Sequence, residues 1–215
     1  HDATPYVLGD LNSETSFVLQ RFGFAVPELL PELTAGESVV VVDTNNPQEL
    51  PGNINEMNIV ALIDHHKLVG GLTTETPTDI VIKPVACTAT IMHDHFISNG
   101  INIPENIAGL MLSAILSDTL GFRSPTTTPH DKDVAEQLAA TLHIEISSYA
   151  DEMFAAKSDI SSFSDSGLIK LDSKKYEVGD KNFRVSVIET TNTDTVLARK
   201  DGIVEAIKTC VAEEN

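Results

Sequence analysis

The stretch Ile59-Val60-Ala61-Leu62-Ile63-Asp64-His65-His66-Lys67 constrains this chain more than any other. Five apolar residues with β-branched members read as a buried strand, and the strand stops at an acid and two imidazoles. Open parallel sheets hold their ligands outside the carboxyl ends of the strands, which is where these three polar side chains fall. Ser38 to Asp43 repeats the pattern: four valines run into an acid, and Thr44-Asn45-Asn46-Pro47 reads as a turn. Two such strands joined by a crossover predict α/β architecture, a parallel sheet with helices on both faces.

Around this centre the remaining elements fall in order. Val7 to Asp10 reads as a short strand and turn, Ser16 to Arg21 as a short helix, and Pro27 and Pro31 as marks of a loop. Asp79 to Ile82 is a further strand, and Val85 to Asn99 is a helix stopped by Gly100. Cys87 at its start reads as a small buried residue and not a nucleophile. His93 and His95, two apart, cannot share a helix face and read as surface or capping residues. The helix begun by Pro104-Glu105 carries the stripe Ile107, Leu110, Met111, Ala114, Ile115, and the next position on it is Asp118. A carboxylate facing the core at the negative end of a helix calls for a positive partner, either Arg123 or a metal ion. Two more helices are expected, His130 to Leu142 behind a hydroxyl-rich cap and Ser147 to Lys157. A serine-rich linker at 158–167 then separates this domain, 1–157, from a second segment, 168–215. In that segment Leu168 to Asp172 reads as a strand, a hairpin follows, and Leu197 to Val211 is the last helix. So short a segment is too little for an independent core and reads as part of a smaller mixed α/β domain.

Composition narrows the functions available. The formal charge is −18, from 32 acids against 14 bases, which repels nucleic-acid backbones and anionic membranes. An anionic substrate would therefore need metal ions or a local group of bases. Cys87 and Cys210 show neither disulfide nor zinc spacing, which fits a reducing, cytoplasmic compartment. No apolar run approaches a membrane span and no signal peptide is visible.

Asp43, Asp64, His65, His66 and Asp118 thus come from two strand ends and a helix end. Mixed carboxylate and imidazole donors suit Mn, Co, Fe or Zn, and bridging acids are what two-metal phosphoryl-transfer sites use. V-V-V-V-D, D-H-H, P-V-A-C-T-A-T-I and S-A-I-L-S-D-T-L-G-F-R-S-P-T together resemble a family II inorganic pyrophosphatase of the DHH phosphoesterase superfamily. The resemblance runs from Leu8 onward, through L-D-S-K-K-Y. It implies two Mn²⁺ or Co²⁺ ions, Mg²⁺ arriving with substrate, and hydrolysis of pyrophosphate by a metal-activated bridging water. It further implies a homodimer. Carried over by motif, Asp43 bridges the metals and His65 and Asp118 complete one metal site. His66 contacts substrate, Asp64 orients the imidazoles, and Lys174 binds a substrate phosphate on the second domain.

Two departures set further expectations. The family's opening G-H-x-x-P-D-x-D and its late S-R-K-K segment have no counterpart here, and the chain starts at His1 without Met. The chain therefore reads as an internal piece of a longer protein, inactive or nearly so by itself. The rival readings are another DHH phosphoesterase, acting on short polyphosphate or cyclic dinucleotides, and a non-catalytic regulatory or interaction module of the same fold.

Overall fold

A computed structural model describes residues 3–158, 160, 161, 163–179, 181–188, 190 and 193–214. The chain runs β1 (Tyr6–Val7), α1 (Ser13–Arg21), β2 (Glu28–Leu29) and β3 (Ser38–Val42), then two 3-10 turns at Pro47–Glu49 and Ile54–Glu56. It continues with β4 (Asn58–Asp64), β5 (Asp79–Ile82), α2 (Thr88–Ser98), α3 (Glu105–Asp118), α4 (Pro129–Leu142) and α5 (Ile146–Lys157). Last come α6 (Asp165–Leu171), β6 (Ser173–Val178), β7 (Lys181–Ser186), α7 (Thr193–Leu197) and α8 (Lys200–Glu214). The residues group into two compact units, one of His1–Asp10 with Val18–Ala150, the other of Leu11–Phe17 with Asp151–Asn215.

The first unit holds the parallel sheet, ordered β3-β4-β5. Val42 lies opposite Ile63 and Asp64 opposite Ile82, so the three strands end close to one level. Asp43 follows directly, its N–H bonded to Ile63 O at 2.9 Å. Val41, Ile59 and Leu62 from the strands close a small core with Ile54 and Met57 from the crossover. The expectation of strands buried throughout is only half met. Val40 and Val42 stay exposed because side chains alternate across a strand, Ile80 because β5 is an edge of the sheet among the described residues, and Val60 because the β3–β4 register skips it at a bulge.

Helix α2 packs on β4 and on α3 and α4. This buries His93, correcting the surface reading: the residue is 7% exposed and its Nδ1 has no hydrogen-bond partner among the described residues. Burial pulls the His93 pKa down, with Asp94 acting against it. The buried face of α3 centres on Ala108, Leu112, Ile115 and Leu116 and continues to Thr119. Asp118 therefore lies at the edge of that face and is exposed, not core-facing as the stripe suggested. Helix α4 starts with a capping box, Thr128 and Asp131 each bonding the other's backbone, and ends at His143 in the left-handed region, φ +55°.

In the second unit, Leu168 to Leu171 is helix and not strand. The Ser164 hydroxyl accepts from Gly167 N–H and starts α6 inside the expected linker, and α6 packs its buried Leu168 and Ile169 against α8. Asp159 and Ser162 of that linker lie outside the described residues. The hairpin is present as β6 and β7, antiparallel, with Gly179 in the left-handed region at φ +65°. The final helix is two helices, α7 and α8, and Arg199 lies between them. Its guanidinium reaches Asp165 Oδ1 (2.9 Å), Ile160 O (2.8 Å) and Phe163 O (2.7 Å), closing the segment ahead of α6. At the far end Arg184 forks onto Glu214 and holds its carboxyl down at about 2, with Lys175 helping.

Candidate metal centre

Side by side, the ends of β3 and β4 deliver Asp43 and the Asp64-His65-His66 run. Asp43 turns out of its strand with φ +64°, a left-handed conformation that aspartate tolerates better than most residues. The turn leaves its carboxylate exposed, with Oδ1 3.6 Å from His65 Nε2. The two imidazoles lie close, ring centroids 4.1 Å apart. One ligand-capable atom from each of Asp43, His65 and His66 falls within 4.8 Å of the others.

What holds the rings differs between the two histidines. His65 Nδ1 lies 3.2 Å from Val85 O, and a carbonyl can only accept, so the proton is on Nδ1 and the lone pair is on Nε2. His66 Nδ1 lies 2.8 Å from Asp64 Oδ1, which assigns the same tautomer. Asp64 thus orients His66, while a backbone carbonyl, and not Asp64 as the motif implied, orients His65.

Asp64 itself is wholly buried and accepts the backbone N–H groups of His65 (2.7 Å) and His66 (3.1 Å) as well. Burial works to raise its pKa. The hydrogen bonds from His66 N–H, the Asn45 amide and the His66 ring outweigh that and hold it below the ordinary carboxylate value. The carboxylate stays ionised beside the imidazoles.

Asp118 approaches from the end of α3. Its residue surface is exposed, yet the protein around its carboxyl group removes enough solvent to push the pKa up. The Cys87 thiol donates to it and pulls the other way, the charge of Asp43 raises it further, and His65 and His66 lower it. A cation would relieve both the burial and the repulsion from Asp43. Asp118 stands outside the tight trio of Asp43, His65 and His66 but within its electrostatic reach. Arg123 spends its Nε on Leu120 O at 2.8 Å. Leu120 and Phe122 beyond it take left-handed φ values of +51° and +68°, strain stored next to the acid.

Cys87 is the N-cap of α2, buried, with Sγ accepting Ala89 N–H at 3.3 Å. Burial and then Asp118 push its thiol pKa far up, so it is not a nucleophile. Lys174, on β6 in the second unit, is exposed and pairs with Val185 across the hairpin. Asn45 and Asp131 escaped the sequence reading. The first falls in a turn, and the second lies in the first turn of a helix whose cap the sequence assigns to the hydroxyls before it.

Comparison with known proteins decides the family. The DHH family, N-terminal domain, matches residues 6–115, and the DHHA2 domain matches residues 151–215. A Deinococcus radiodurans protein named probable manganese-dependent inorganic pyrophosphatase is 42% identical over 99% of this chain and 69% of its own length. The chain belongs to the family II inorganic pyrophosphatases of the DHH superfamily. A Bacillus licheniformis pyrophosphatase of the same name is 36% identical, again over 99% of this chain and 69% of its own length. Among solved structures, a Methanococcus jannaschii protein assigned as a family II inorganic pyrophosphatase superposes with a TM-score of 0.84 at 33% identity. That match covers 99% of this chain and 71% of the other. The chain therefore spans about two thirds of the length of these pyrophosphatases.

The donor set suits the metal in the relatives' name. The His65 Nε2 lone pair lies 3.6 Å from the Asp43 carboxylate, with the His66 ring beside it and a second carboxylate in electrostatic reach, and intermediate metals such as manganese accept that mixture.

Proposed function

We propose that the protein hydrolyses inorganic pyrophosphate to two phosphates with Mn²⁺ as its metal. The observation that supports this most is the convergence of Asp43, His65 and His66 with both rings held in the tautomer that frees Nε2. Asp43, His65 and Asp118 hold metal. Bound there, a divalent ion supplies charge neutralisation for the phosphate oxygens and an acidified water.

The chain's own residues do the rest. His66, 54% exposed at its side chain, presents Nε2 to a phosphate oxygen. Asp64, buried and ionised, keeps the proton of that ring on Nδ1, so a phosphate-bound proton or a protonated imidazole is managed at Nε2 alone. Lys174 supplies a point charge for a phosphate from β6. Protein charge of −18 disfavours polyanions away from such a site, which favours a small substrate over nucleic acid.

Domains 1–157 and 168–215 are assigned the metal and substrate roles. Two buried cysteines outside any disulfide suit a reducing compartment, so we place the protein in the cytoplasm; its assembly as a homodimer rests on the family resemblance alone. No described helix is long and apolar enough to cross a membrane.

Phosphate release from pyrophosphate, tripolyphosphate and a cyclic dinucleotide, each with Mn²⁺, tests the reading. Preferential turnover of pyrophosphate, abolished by Asp43→Asn, is expected, and it should be slow or absent where these residues are assayed without the family's G-H-x-x-P-D-x-D and S-R-K-K segments. Faster release from either of the other substrates would overturn it.

A further inference from the structure

Asn45 follows the metal-centre acid Asp43 by two positions, in a turn where an asparagine needs no special explanation. Its surroundings do need one. The residue is 2% exposed, and every hydrogen-bonding group of its amide is engaged. Nδ2 donates to Asp64 Oδ2 at 2.5 Å and to Lys67 O at 3.1 Å, while Oδ1 accepts Val69 N–H at 2.7 Å. The orientation is dictated by these partners. Exchanging O and N would set a carbonyl against a carboxylate and an amide N–H against an amide N–H.

This amide decides how Asp64 is used. With Oδ2 taken by Asn45, Oδ1 alone faces the turn and collects His65 N–H, His66 N–H and the His66 ring Nδ1. Remove the donor and Oδ2 becomes a buried charged acceptor with no partner, a costly state relieved by rotating the carboxylate. Rotation would take Oδ1 away from His66. The other two contacts close the same turn from its far side, since Lys67 and Val69 directly follow the two histidines.

We infer that Asn45 is a positioning residue: through Asp64 it holds His66 as the Nδ1-protonated tautomer with Nε2 free, and through Lys67 and Val69 it clamps the turn carrying both histidines. The consequence for turnover rests on the function proposed above. The tautomer does not.

Long-range ¹H–¹⁵N spectra of the metal-free chain, labelled in histidine and recorded above about pH 8 where free imidazoles are neutral, read this directly. His66→Gln assigns the signal. The parent protein is expected to show His66 protonated on Nδ1, and protonation on Nε2 would overturn the inference whatever the substrate proves to be. Asn45→Asp keeps the shape and the acceptor for Val69 but sets an acceptor against Asp64 Oδ2. It should abolish the single tautomer and lower kcat on pyrophosphate roughly 10- to 100-fold. Asn45→Ser, whose hydroxyl is too short to span both contacts, serves in its place if that variant does not fold. A folded variant with the His66 tautomer unchanged would sink the positioning role. A changed tautomer with no turnover of pyrophosphate in the parent would instead leave it standing and remove the proposed activity.

Discussion

Asp131 offers the sharpest test of how the metal centre is braced. It is fully buried at the start of α4, and its two oxygens receive four donors. Oδ2 accepts Ala86 N–H (3.0 Å), Thr128 N–H (2.9 Å) and the Thr128 hydroxyl (2.5 Å), and Oδ1 accepts the Thr90 hydroxyl (2.6 Å). Burial works to raise its pKa, but these bonds, led by Thr128 and Thr90, hold it below the ordinary value. In Asp131→Ala the helix loses its capping box, worth about 1 kcal/mol. Ala86 N–H is left without its buried acceptor at roughly 1–3 kcal/mol, whereas the Thr90 hydroxyl can turn back to its own helix at less cost. The loss should total about 2–5 kcal/mol at neutral pH, a fall in Tm on the order of 10 °C for a chain of this size. Asp131→Asn, with its amide N–H turned to the Thr90 hydroxyl and its oxygen to the other donors, should cost only about 1–2 kcal/mol. The pH dependence has a fixed sign. A carboxyl whose folded pKa is depressed stabilises above its unfolded value, about 3.9, and that stability is lost as pH falls through the folded pKa. The gap between parent and Asp131→Ala should therefore narrow below about pH 4. Urea denaturation at several pH values measures it, and amide exchange at Ala86 reads the local effect. A loss under about 1 kcal/mol at neutral pH, or a gap that widens in acid, would refute the reasoning. Because Ala86 adjoins Val85, whose carbonyl orients His65, the same variant should also weaken Mn²⁺ binding.

Other substitutions separate the site from the scaffold. His65→Ala and Asp43→Ala should each reduce Mn²⁺ affinity, read by calorimetry, beyond the roughly 10- to 100-fold expected of an outer-shell change, with the circular dichroism spectrum unchanged. A metal affinity equal to the parent's in either would remove that residue from the centre. A methyl group at Gly109 on α3 would overlap the Phe22 ring, so Gly109→Ala should lower stability by about 1–3 kcal/mol in thermal unfolding; an unchanged Tm would mean the ring moves freely. Arg199→Lys keeps the charge but cannot reach Asp165, Ile160 O and Phe163 O together. About 1–2 kcal/mol of lost stability is expected for this partly exposed group, and full stability in urea would show that the fork is dispensable.

The parts of this site that were legible in the sequence share a physical property. Asp43, Asp64, His65 and His66 each end a run of apolar β-formers, and the end of a parallel strand is where such sheets place ligands, so type and position pointed the same way. The capping of α4 was legible for a similar reason, because hydroxyls sit directly before it. The misreadings came where one local signal fits two structures. Leu168 to Leu171 is too short for periodicity to separate helix from strand, and the cap at Ser164 and packing on α8 decide it. His93 was misread because nothing within its own helix reports the neighbours that bury it.

Asn45 and Asp131 were missed for a deeper reason. The partners of Asn45 lie 19 to 24 positions away, and those that Asp131 holds on α2 and before it lie 41 and 45 away, so no window of sequence contains either interaction. Residues that present chemistry are set by the strand they end. Residues that hold that chemistry in one tautomer and one direction are set by what the fold brings beside them. A polar side chain at a strand end can tolerate rearrangement of the sheet behind it, but a buried amide or carboxylate with every lone pair and proton assigned cannot. The tautomer and direction of the two imidazoles should therefore be most sensitive to substitution at Asn45, Asp64 and Asp131, positions whose hydrogen bonds all go to protein groups.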